Sequence, residues 1–184
     1  MIIKSKTDSS KMIEELKLNK FSEEIFSRNE INKINKFIKN NPADFYAIRD
    51  KTKFGGIFKL KVPTNKIFEE IKEYDLFSIN VSSANYVDNQ LVVGEIEFLK
   101  NGDVYATISL DRKASVRDAI NKPDINIKTN IFDKQLNEIP NFDYIYKYIS
   151  DHNLFDIVVE FALFNIEVGT QNEKIIIYEL RSNY

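Results

Sequence analysis

The chain has 184 residues, of which 43% are hydrophobic and 29% are charged, and this composition is typical of a globular protein with a buried core. Its formal net charge of −2 argues against nucleic acid as a partner, and the absence of cysteine excludes disulfides, thiolate metal sites and cysteine nucleophiles. No apolar run approaches the ~20 residues that span a membrane and the N-terminus lacks a signal-peptide pattern, so we expect a cytoplasmic protein without a membrane partner.

The first 42 residues predict an N-terminal helical segment. Residues 8–40 have helical periodicity, in which Ser9 or Ser10 caps a first helix and Ser22 begins a further turn. Asn29 caps the last helix, whose apolar stripe consists of Ile31, Ile34, Phe37 and Ile38. The sequence Asn40-Asn41-Pro42 ends this helix.

The pattern changes to strands after residue 42 and predicts a sheet-containing body over residues 43–184. Residues 45–49 and 57–62, with a polar turn between them that contains Gly55-Gly56, predict a hairpin. A short helix follows Pro63, and residues 76–81 predict another strand. Asn101-Gly102, between two apolar runs, is the strongest hairpin signal in the chain.

The C-terminal half predicts a capped helix, an irregular stretch, a longer helix and two strands. Ser115 and Asp118 have the spacing of a capping pair, residues 123–133 lack a regular pattern, and residues 140–152 are helical. Two apolar runs then predict a strand pair joined around Gly169. The fold class is therefore α+β, a largely antiparallel sheet with helices packed mainly on one face, in a single domain.

Both final strands carry a glutamate where a buried strand ordinarily has none. A buried carboxylate is costly unless it is paired or holds a metal, so Glu160 and Glu179 are candidate site residues. Strand alternation places Glu179 and Arg181 on one face together with Ile175 and Ile177. In a hairpin Glu160 joins them, and such a carboxylate pair binds Mg²⁺ together with substrate phosphates, which Arg181 can hold.

Each of these features also has a structural interpretation, and both interpretations are open at this point. Arg181 can instead pair with Glu179 or Glu160 in an ion network at the sheet edge. Glu95 and Glu97 share one face of their strand and offer either further carboxylates for the site or a solvated strand face, of which we expect the second. The predicted hairpin at 45–62 offers either an ordinary polar face or a surface for single-stranded nucleic acid. Its basic and aromatic residues are Lys51, Lys53, Lys59, Lys61, Phe54 and Phe58.

The final segment resembles the end of ATP-grasp nucleotide-binding domains, and in particular the ATP-binding domain of phosphoenolpyruvate synthase and pyruvate phosphate dikinase. The resemblance lies in Val158-Val159-Glu160-Phe161-Ala162 and in Tyr178-Glu179-Leu180-Arg181-Ser182. In that family, acidic or amide residues on these two strands bind the metals of Mg-ATP. The resemblance implies that Glu160 and Glu179 are metal ligands and that Arg181 contacts phosphate, with ATP as the ligand.

The same resemblance extends upstream to one further arginine. Tyr46-Ala47-Ile48-Arg49 is similar to a strand of that family whose arginine contacts phosphate, which implies the same role for Arg49. Ser82-Ser83-Ala84 is a competing match to the same motif. The family's long glycine-rich phosphate loop has no counterpart, because the chain has only five glycines and Gly55-Gly56 offers few backbone donors.

Together these patterns lead to one functional hypothesis and one alternative. The hypothesis is that the protein binds a nucleotide or a phosphorylated small molecule with Mg²⁺, and phosphoryl or nucleotidyl transfer suits such a site. The alternative is a non-catalytic protein–protein interaction or regulatory module, including a degenerate ATP-grasp fold. That alternative predicts a protein partner, an exposed aromatic patch and an ion pair that satisfies Glu160.

Overall fold

The computed structural model of the protein describes residues 3–52, 58–165 and 173–182, without the side chains of Thr7 and Glu173. The described chain divides into two compact units. Unit 1 comprises the described parts of Met1–Lys20 and Asp88–Tyr184, and unit 2 comprises those of Phe21–Val87. Whether all 184 residues act as a single domain stays a prediction.

Short helices and strands are interspersed along the described chain, with β2–β3, β5–β6 and β8–β9 as consecutive strand pairs. The helices are α1 (Lys6–Glu15), α2 (Ile31–Asn40), α3 (Ile67–Glu70), α4 (Val116–Asn121) and α5 (Phe142–Asp151), and 3₁₀ turns lie at Thr64–Lys66, Ile71–Glu73, Ser83–Asn89 and Lys134–Glu138. The strands are β1 (Glu23–Ser27), β2 (Phe45–Asp50), β3 (Phe58–Pro63), β4 (Leu76–Val81), β5 (Gln90–Phe98), β6 (Asp103–Ser109), β7 (Ile125–Asn130), β8 (Val158–Asn165) and β9 (Glu173–Arg181).

Unit 1 is built on a five-stranded antiparallel sheet with the order β7-β6-β5-β8-β9. One face of this sheet is apolar, because every strand contributes alternate apolar side chains to the buried cluster. Ile13 of α1 and Ile145 and Ile149 of α5 belong to the same buried cluster. The two helices therefore cover the apolar face and leave the polar residues of the sheet on the other face.

Helix α1 is fixed to the last strand by hydrogen bonds as well as by apolar contacts. The hydroxyl oxygen of Ser9, which is buried, accepts a hydrogen bond from the backbone N–H of Leu180 at 2.8 Å. Before the helix, the N–H of Ile3 donates to the hydroxyl oxygen of Ser182 at 2.9 Å. These bonds satisfy buried backbone and side-chain groups and set the position of the helix along β9.

A close approach of two backbones in the sheet requires glycine at position 94. Gly94 lies in β5 opposite Ile108 of β6, and a Cβ atom built on it would overlap the backbone carbonyl oxygen of Thr107. Any side chain at this position would force the two strands apart. The neighbouring residue, Glu95, belongs to the candidate site described below.

Unit 2 is built on a four-stranded antiparallel sheet with the order β1-β4-β2-β3. Helix α2 contributes Ile34 and Phe37 to its core. The ring of Phe37 packs edge-on against Phe26 of β1, with 5.7 Å between the ring centroids. The buried Tyr46 of β2 donates its hydroxyl hydrogen to the carbonyl oxygen of Asn41 at 2.6 Å, so its polar end is satisfied.

Several predictions of the sequence are confirmed. The fold class is α+β with antiparallel sheets, although the strands form two sheets. Asn101-Gly102 joins β5 to β6, β2 pairs with β3, and Leu76–Val81 is β4 with the predicted bounds. Ser115 and Asp118 form a capping box at the start of α4. The predicted glycine turns at Gly55-Gly56 and Gly169 lie outside the described residues.

The N-terminal segment is not helical throughout, contrary to the prediction for residues 8–40. Residues 23–27 form β1, because pairing with β4 buries Phe26 and outweighs the helix propensity of the two glutamates before it. The predicted caps are also wrong. Ser5 caps α1 by accepting from the N–H of Asp8, and Glu30 precedes α2 without a side-chain cap.

The prediction of an irregular stretch at residues 123–133 is wrong as well. Residues 125–130 form β7, an edge strand paired with β6. Ile125 and Ile127 are buried while Asn126 and Lys128 are exposed, which is the alternation of a half-solvated strand.

Among the described residues, no helix has the length and apolar character needed to cross a membrane.

Candidate functional site

Three glutamates on neighbouring strands of unit 1 form a row across the polar face of the sheet, here named the acidic row. Glu160 of β8 is the register partner of Glu95 of β5 on one side and of Glu179 of β9 on the other. The predicted meeting of Glu160 and Glu179 on one face is therefore what the antiparallel pairing produces. On the far side of Glu95, the row continues with Thr107 of β6 and Asn126 of β7.

An irregularity in β9 corrects the predicted assignment of its faces. The register passes from Glu160–Glu179 to Phe161–Ile177, so Tyr178 is an extra residue of a β-bulge. Simple alternation places Ile175 and Ile177 on one face together with Glu179. In the structure these two isoleucines lie in the core with Leu180, and Glu179 lies on the opposite face. Glu179 and Arg181 still share a face, as predicted, because both follow the bulge.

Two cations of the described chain form ion pairs with the three carboxylates of the acidic row. The guanidinium of Arg181 pairs with Glu95 and lies 3.1 Å from an Oε1 atom of Glu160. The ammonium of Lys6, on α1, lies 3.2 Å from the Oε2 atom of Glu179. Arg181 is opposite Val158 on β8, two residue pairs further along the strands, and from there its side chain reaches back to the row.

The acidic row is poorly solvated, and this changes the proton affinity of its central member. The side chain of Glu160 is 18% exposed and that of Glu179 is 19% exposed. Burial raises the pKa of Glu160 above its ordinary value, and the neighbouring charge of Glu179 raises this pKa further. Arg181 acts in the opposite direction without cancelling the effect, so negative charge is in excess at this position.

An open cavity of about 370 Å³ adjoins the acidic row on unit 1. Glu95 and Arg181 form part of its wall, and the other lining residues are Ile96, Glu97, Leu99, Tyr105, Thr107 and Val158. Glu97 is 5% exposed, so the expectation of a solvated face at Glu95 and Glu97 is wrong. A ligand in this cavity would meet carboxylates, one guanidinium and the ring of Tyr105.

The donor set suits a magnesium ion that is bound together with phosphate. Among the residues that the structure describes, no group of three or more His, Asp or Glu side chains is arranged to hold a metal ion. Mg²⁺ is typically bound by one or two carboxylates and completes its octahedron with substrate phosphates and water. Glu160 and Glu179 therefore fit as a two-carboxylate set and do not fit as a complete protein cage.

The remaining predicted phosphate contact lies in the other unit. Arg49 of β2 is half-buried, and its guanidinium carbon lies 4.7 Å from the ring centroid of Phe58 in a cation–π contact. The competing motif at Ser82 is also in unit 2, where the Ser82 hydroxyl donates to the carbonyl oxygen of Leu60 and accepts from the N–H of Ala84. The role of Arg49 as a phosphate contact stays a prediction.

The sequence did not reveal two members of this site. Glu95 was expected to be solvated, and Lys6 lies in a helix that carried no sign of its partner. Glu95 lies beside Glu160 because of the register between β5 and β8, and Lys6 reaches Glu179 because α1 docks on β9. The alternating polar positions of β5 are the signal in the sequence, but only the register shows that Glu95 stands beside Glu160.

Comparison with known proteins finds no matching family model and no matching curated protein. Solved structures align over most of the chain at low identity. Phosphoribosylglycinamide synthetase from Anaerococcus prevotii is 12% identical with a TM-score of 0.49, and the alignment covers 97% of this chain and 42% of that one. D-Alanine-D-alanine ligase from Helicobacter pylori is 15% identical with a TM-score of 0.44, and it covers 96% of this chain and 50% of that one.

A third similar structure is the macrocyclase MdnC bound with its precursor peptide MdnA, from Microcystis aeruginosa. It is 10% identical with a TM-score of 0.47, and the alignment covers 95% of this chain and 50% of that one. The chain thus spans about half or less of the length of these structures. With TM-scores below 0.5, the assignment of this chain to the ATP-grasp family stays a proposal.

Proposed function

We propose that unit 1 binds a nucleotide together with Mg²⁺ at the acidic row, with ATP as the first candidate. The observation that carries the proposal is the charge balance of the row, where three half-buried carboxylates share two cations beside an open cavity. Burial raises the pKa of Glu160, and the charge of Glu179 raises this pKa further. A divalent cation that arrives with its own phosphate ligands would relieve the excess negative charge of the row.

In this proposal each residue of the row has a distinct task. Glu160 and Glu179 hold the metal, which when bound neutralises phosphate charge. Arg181, whose side chain is 45% exposed at the cavity wall, contacts a phosphate oxygen. Glu95 orients the guanidinium of Arg181 through their ion pair. Arg49 belongs to unit 2, and its role as a phosphate contact is a separate proposal that rests on the family resemblance alone.

Phosphoryl or nucleotidyl transfer is the chemistry that such a site suits. These reactions depend mainly on positioning and on stabilising charge on phosphate oxygens, and they need no nucleophile from the protein. Two carboxylates, a metal and an arginine supply those functions. The resemblance to the ATP-binding domain of phosphoenolpyruvate synthase belongs to the same proposal.

A thermal-shift titration of ATP with and without Mg²⁺ tests the proposal. At about 100 times its dissociation constant a ligand stabilises the folded protein by roughly 2.7 kcal/mol, which raises the melting temperature by several degrees in a protein of this size. We expect a Mg²⁺-dependent shift in the wild type. Glu160→Gln and Glu179→Gln, which keep the side-chain shape and remove the charge, should each abolish it.

The matched control is Glu138→Gln, since Glu138 is an exposed glutamate of unit 1 outside the acidic row. This variant should keep the full shift. A shift that survives in both row variants would place the ligand elsewhere. The absence of a shift with every nucleotide tested would reject the nucleotide proposal.

The second candidate is the protein-interaction module, and two observations favour it. Glu160 is paired with Arg181 and Glu179 with Lys6, as a purely structural ion network requires. Unit 1 also exposes Phe132 almost completely, at 93%. The cavity beside the acidic row points the other way, because a structural network has no need of an adjoining space.

A further inference from the structure

One charged residue of the candidate site has no task in the proposed function, namely the lysine that begins helix α1. The ammonium of Lys6 lies 3.2 Å from the Oε2 atom of Glu179, one of the two proposed metal ligands. A metal ion bound at this carboxylate would lie close to the ammonium, and two cations at short range repel each other. Lys6 and a metal ion are therefore rivals for the same carboxylate.

The backbone fixes Lys6 beside β9 independently of this ion pair. The side chain of Ser5 caps the first turn of α1. One turn further along the helix, the N–H of Leu180 donates to the hydroxyl oxygen of Ser9 and holds the helix against the last strand. The ammonium can therefore leave Glu179 while the helix keeps its place.

The position of Lys6 within its helix is unfavourable for a cation. Lys6 is the first helical residue after the cap, and the N-terminal end of a helix is the positive end of the helix dipole. An acidic side chain is favoured there, whereas a lysine opposes the dipole. Helix α1 thus gains no stability from this charge, which instead forms an ion pair with Glu179.

The two cations of the acidic row differ in how easily they can be displaced. The side chain of Lys6 is 73% exposed, so its ammonium is already largely hydrated while it is paired, and it loses little when it moves into water. The guanidinium of Arg181 pairs with both Glu95 and Glu160. Its displacement would leave two carboxylates without their cation, so Lys6 is the cation that yields first.

We propose that Lys6 competes with the metal for Glu179 and is released into solvent when Mg²⁺ binds. This role of Lys6 rests on the proposed binding of Mg²⁺ at the acidic row. With Lys6 paired, the row has one negative charge in excess of its cations, and with Mg²⁺ in place of Lys6 the charges balance. Helix α1 thereby raises the Mg²⁺ concentration at which the site fills.

Binding of Mn²⁺ alone to the full chain, followed by the electron paramagnetic resonance of the free ion, tests this competition. Mn²⁺ takes the same oxygen ligands as Mg²⁺. Lys6→Met removes the charge and keeps an apolar stem, so we expect it to bind Mn²⁺ about two- to fivefold more tightly than the wild type, which is the range of an exposed ion pair. Lys11→Met is the matched control, because Lys11 is an exposed lysine about 140° around the same helix, and its affinity should be unchanged.

The release of the ammonium needs its own measurement, because removal of a nearby positive charge strengthens metal binding even when nothing moves. Reductive methylation with ¹³C-formaldehyde labels lysine side chains for NMR and keeps their charge, and Lys6→Met identifies the signal of Lys6. On addition of Mg²⁺ we expect this signal to move to the position that it has in Glu179→Gln, where the ion pair is absent. The signal of Lys11 should stay where it is.

The outcomes separate the role of Lys6 from the proposed function. A Lys6 signal that keeps its paired position while the metal binds, or equal Mn²⁺ affinity of the wild type and Lys6→Met, overturns the competition and leaves the proposed metal site standing. If neither protein binds metal, with or without ATP, the proposed function is rejected and the role of Lys6 with it.

Discussion

The charged surfaces of the two units use opposite arrangements. In unit 1 three carboxylates of the acidic row share Arg181 and Lys6 and are largely shielded from solvent. In the part of unit 2 that the structure describes, the ion pairs each join one acid to one base near solvent, as between Lys59 and Glu70, whose side chains are 37% and 30% exposed. Each one-to-one pair has no net charge, whereas the three carboxylates of the acidic row outnumber the two cations that pair with them.

The difference shows where electrostatic free energy is concentrated in this molecule. An exposed ion pair contributes about 0–1 kcal/mol to the free energy of unfolding, because water and salt screen the attraction between the two charges. In the acidic row the same charges interact at short range with less solvent, so the loss of one partner leaves a carboxylate that is both desolvated and unpaired. A site that binds a cationic or metal-bound ligand needs carboxylates that are partly desolvated and in excess of their cations, as in the acidic row.

The largest effect is expected from Arg181→Met, which removes the cation that the acidic row shares. Glu160 and Glu95 lose their partner, so we expect a loss of about 1–2 kcal/mol of unfolding free energy at pH 7. The loss should shrink toward pH 4, because protonation of Glu160 then removes the unpaired charge. Urea unfolding at both pH values measures it, and an equal loss at both would show that packing is responsible.

A smaller effect, of the opposite sign, is expected from Glu160→Gln. The folded-state pKa of Glu160 is raised, so its ionised form destabilises the fold above that pKa, and this penalty disappears as the pH falls toward the ordinary value of 4.5. The neutral variant should therefore be more stable than the wild type at pH 7. At pH 4 the two should be equal.

The control for Glu160→Gln is again Glu138→Gln, which removes an exposed charge and should leave the stability unchanged at both pH values. Thermal melting between pH 4 and pH 8 measures all three proteins under identical conditions. A Glu160→Gln variant that is less stable than the wild type at pH 7 would mean that the ion pair with Arg181 outweighs the desolvation of the carboxylate.

The smallest effect is expected from Lys59→Met, the counterpart of Arg181→Met in unit 2. The hydrogen bond with Glu70 raises the pKa of Lys59, but the pair is near solvent and we expect a change within about 0.5 kcal/mol. The measurement is the same urea unfolding at pH 7. A loss as large as that of Arg181→Met would remove the distinction between the two units.

The elements that the sequence predicted well are those with a strong local signal. Asn101-Gly102 has the residues that a tight turn requires, and Ser115 with Asp118 satisfies the first N–H groups of a helix. By contrast β1 and β7 depend on pairing with strands elsewhere in the chain. The polar residues of β7 and the glutamates of β1 have no local preference for a strand, so tertiary pairing decided both.

The candidate site was predicted in part for the same reason. Glu160, Glu179 and Arg181 were recognised because charges inside apolar runs are unusual, and the hairpin between β8 and β9 brings them together. Glu95 was not recognised, since its position beside Glu160 follows from the register of β5 with β8. Ile175 and Ile177 were wrongly assigned to the face of Glu179, because a one-residue bulge leaves no mark in an alternating apolar pattern.

The docking of α1 on β9 has a consequence for how the protein is made on the ribosome. Ser9 and Ile3 find their hydrogen-bond partners 171 and 179 residues later in the chain, at Leu180 and Ser182. Unit 2 is continuous in sequence, so it can fold while synthesis continues. Helix α1 precedes unit 2 in the chain but cannot dock until translation reaches β9, and only then do Lys6 and Glu179 pair.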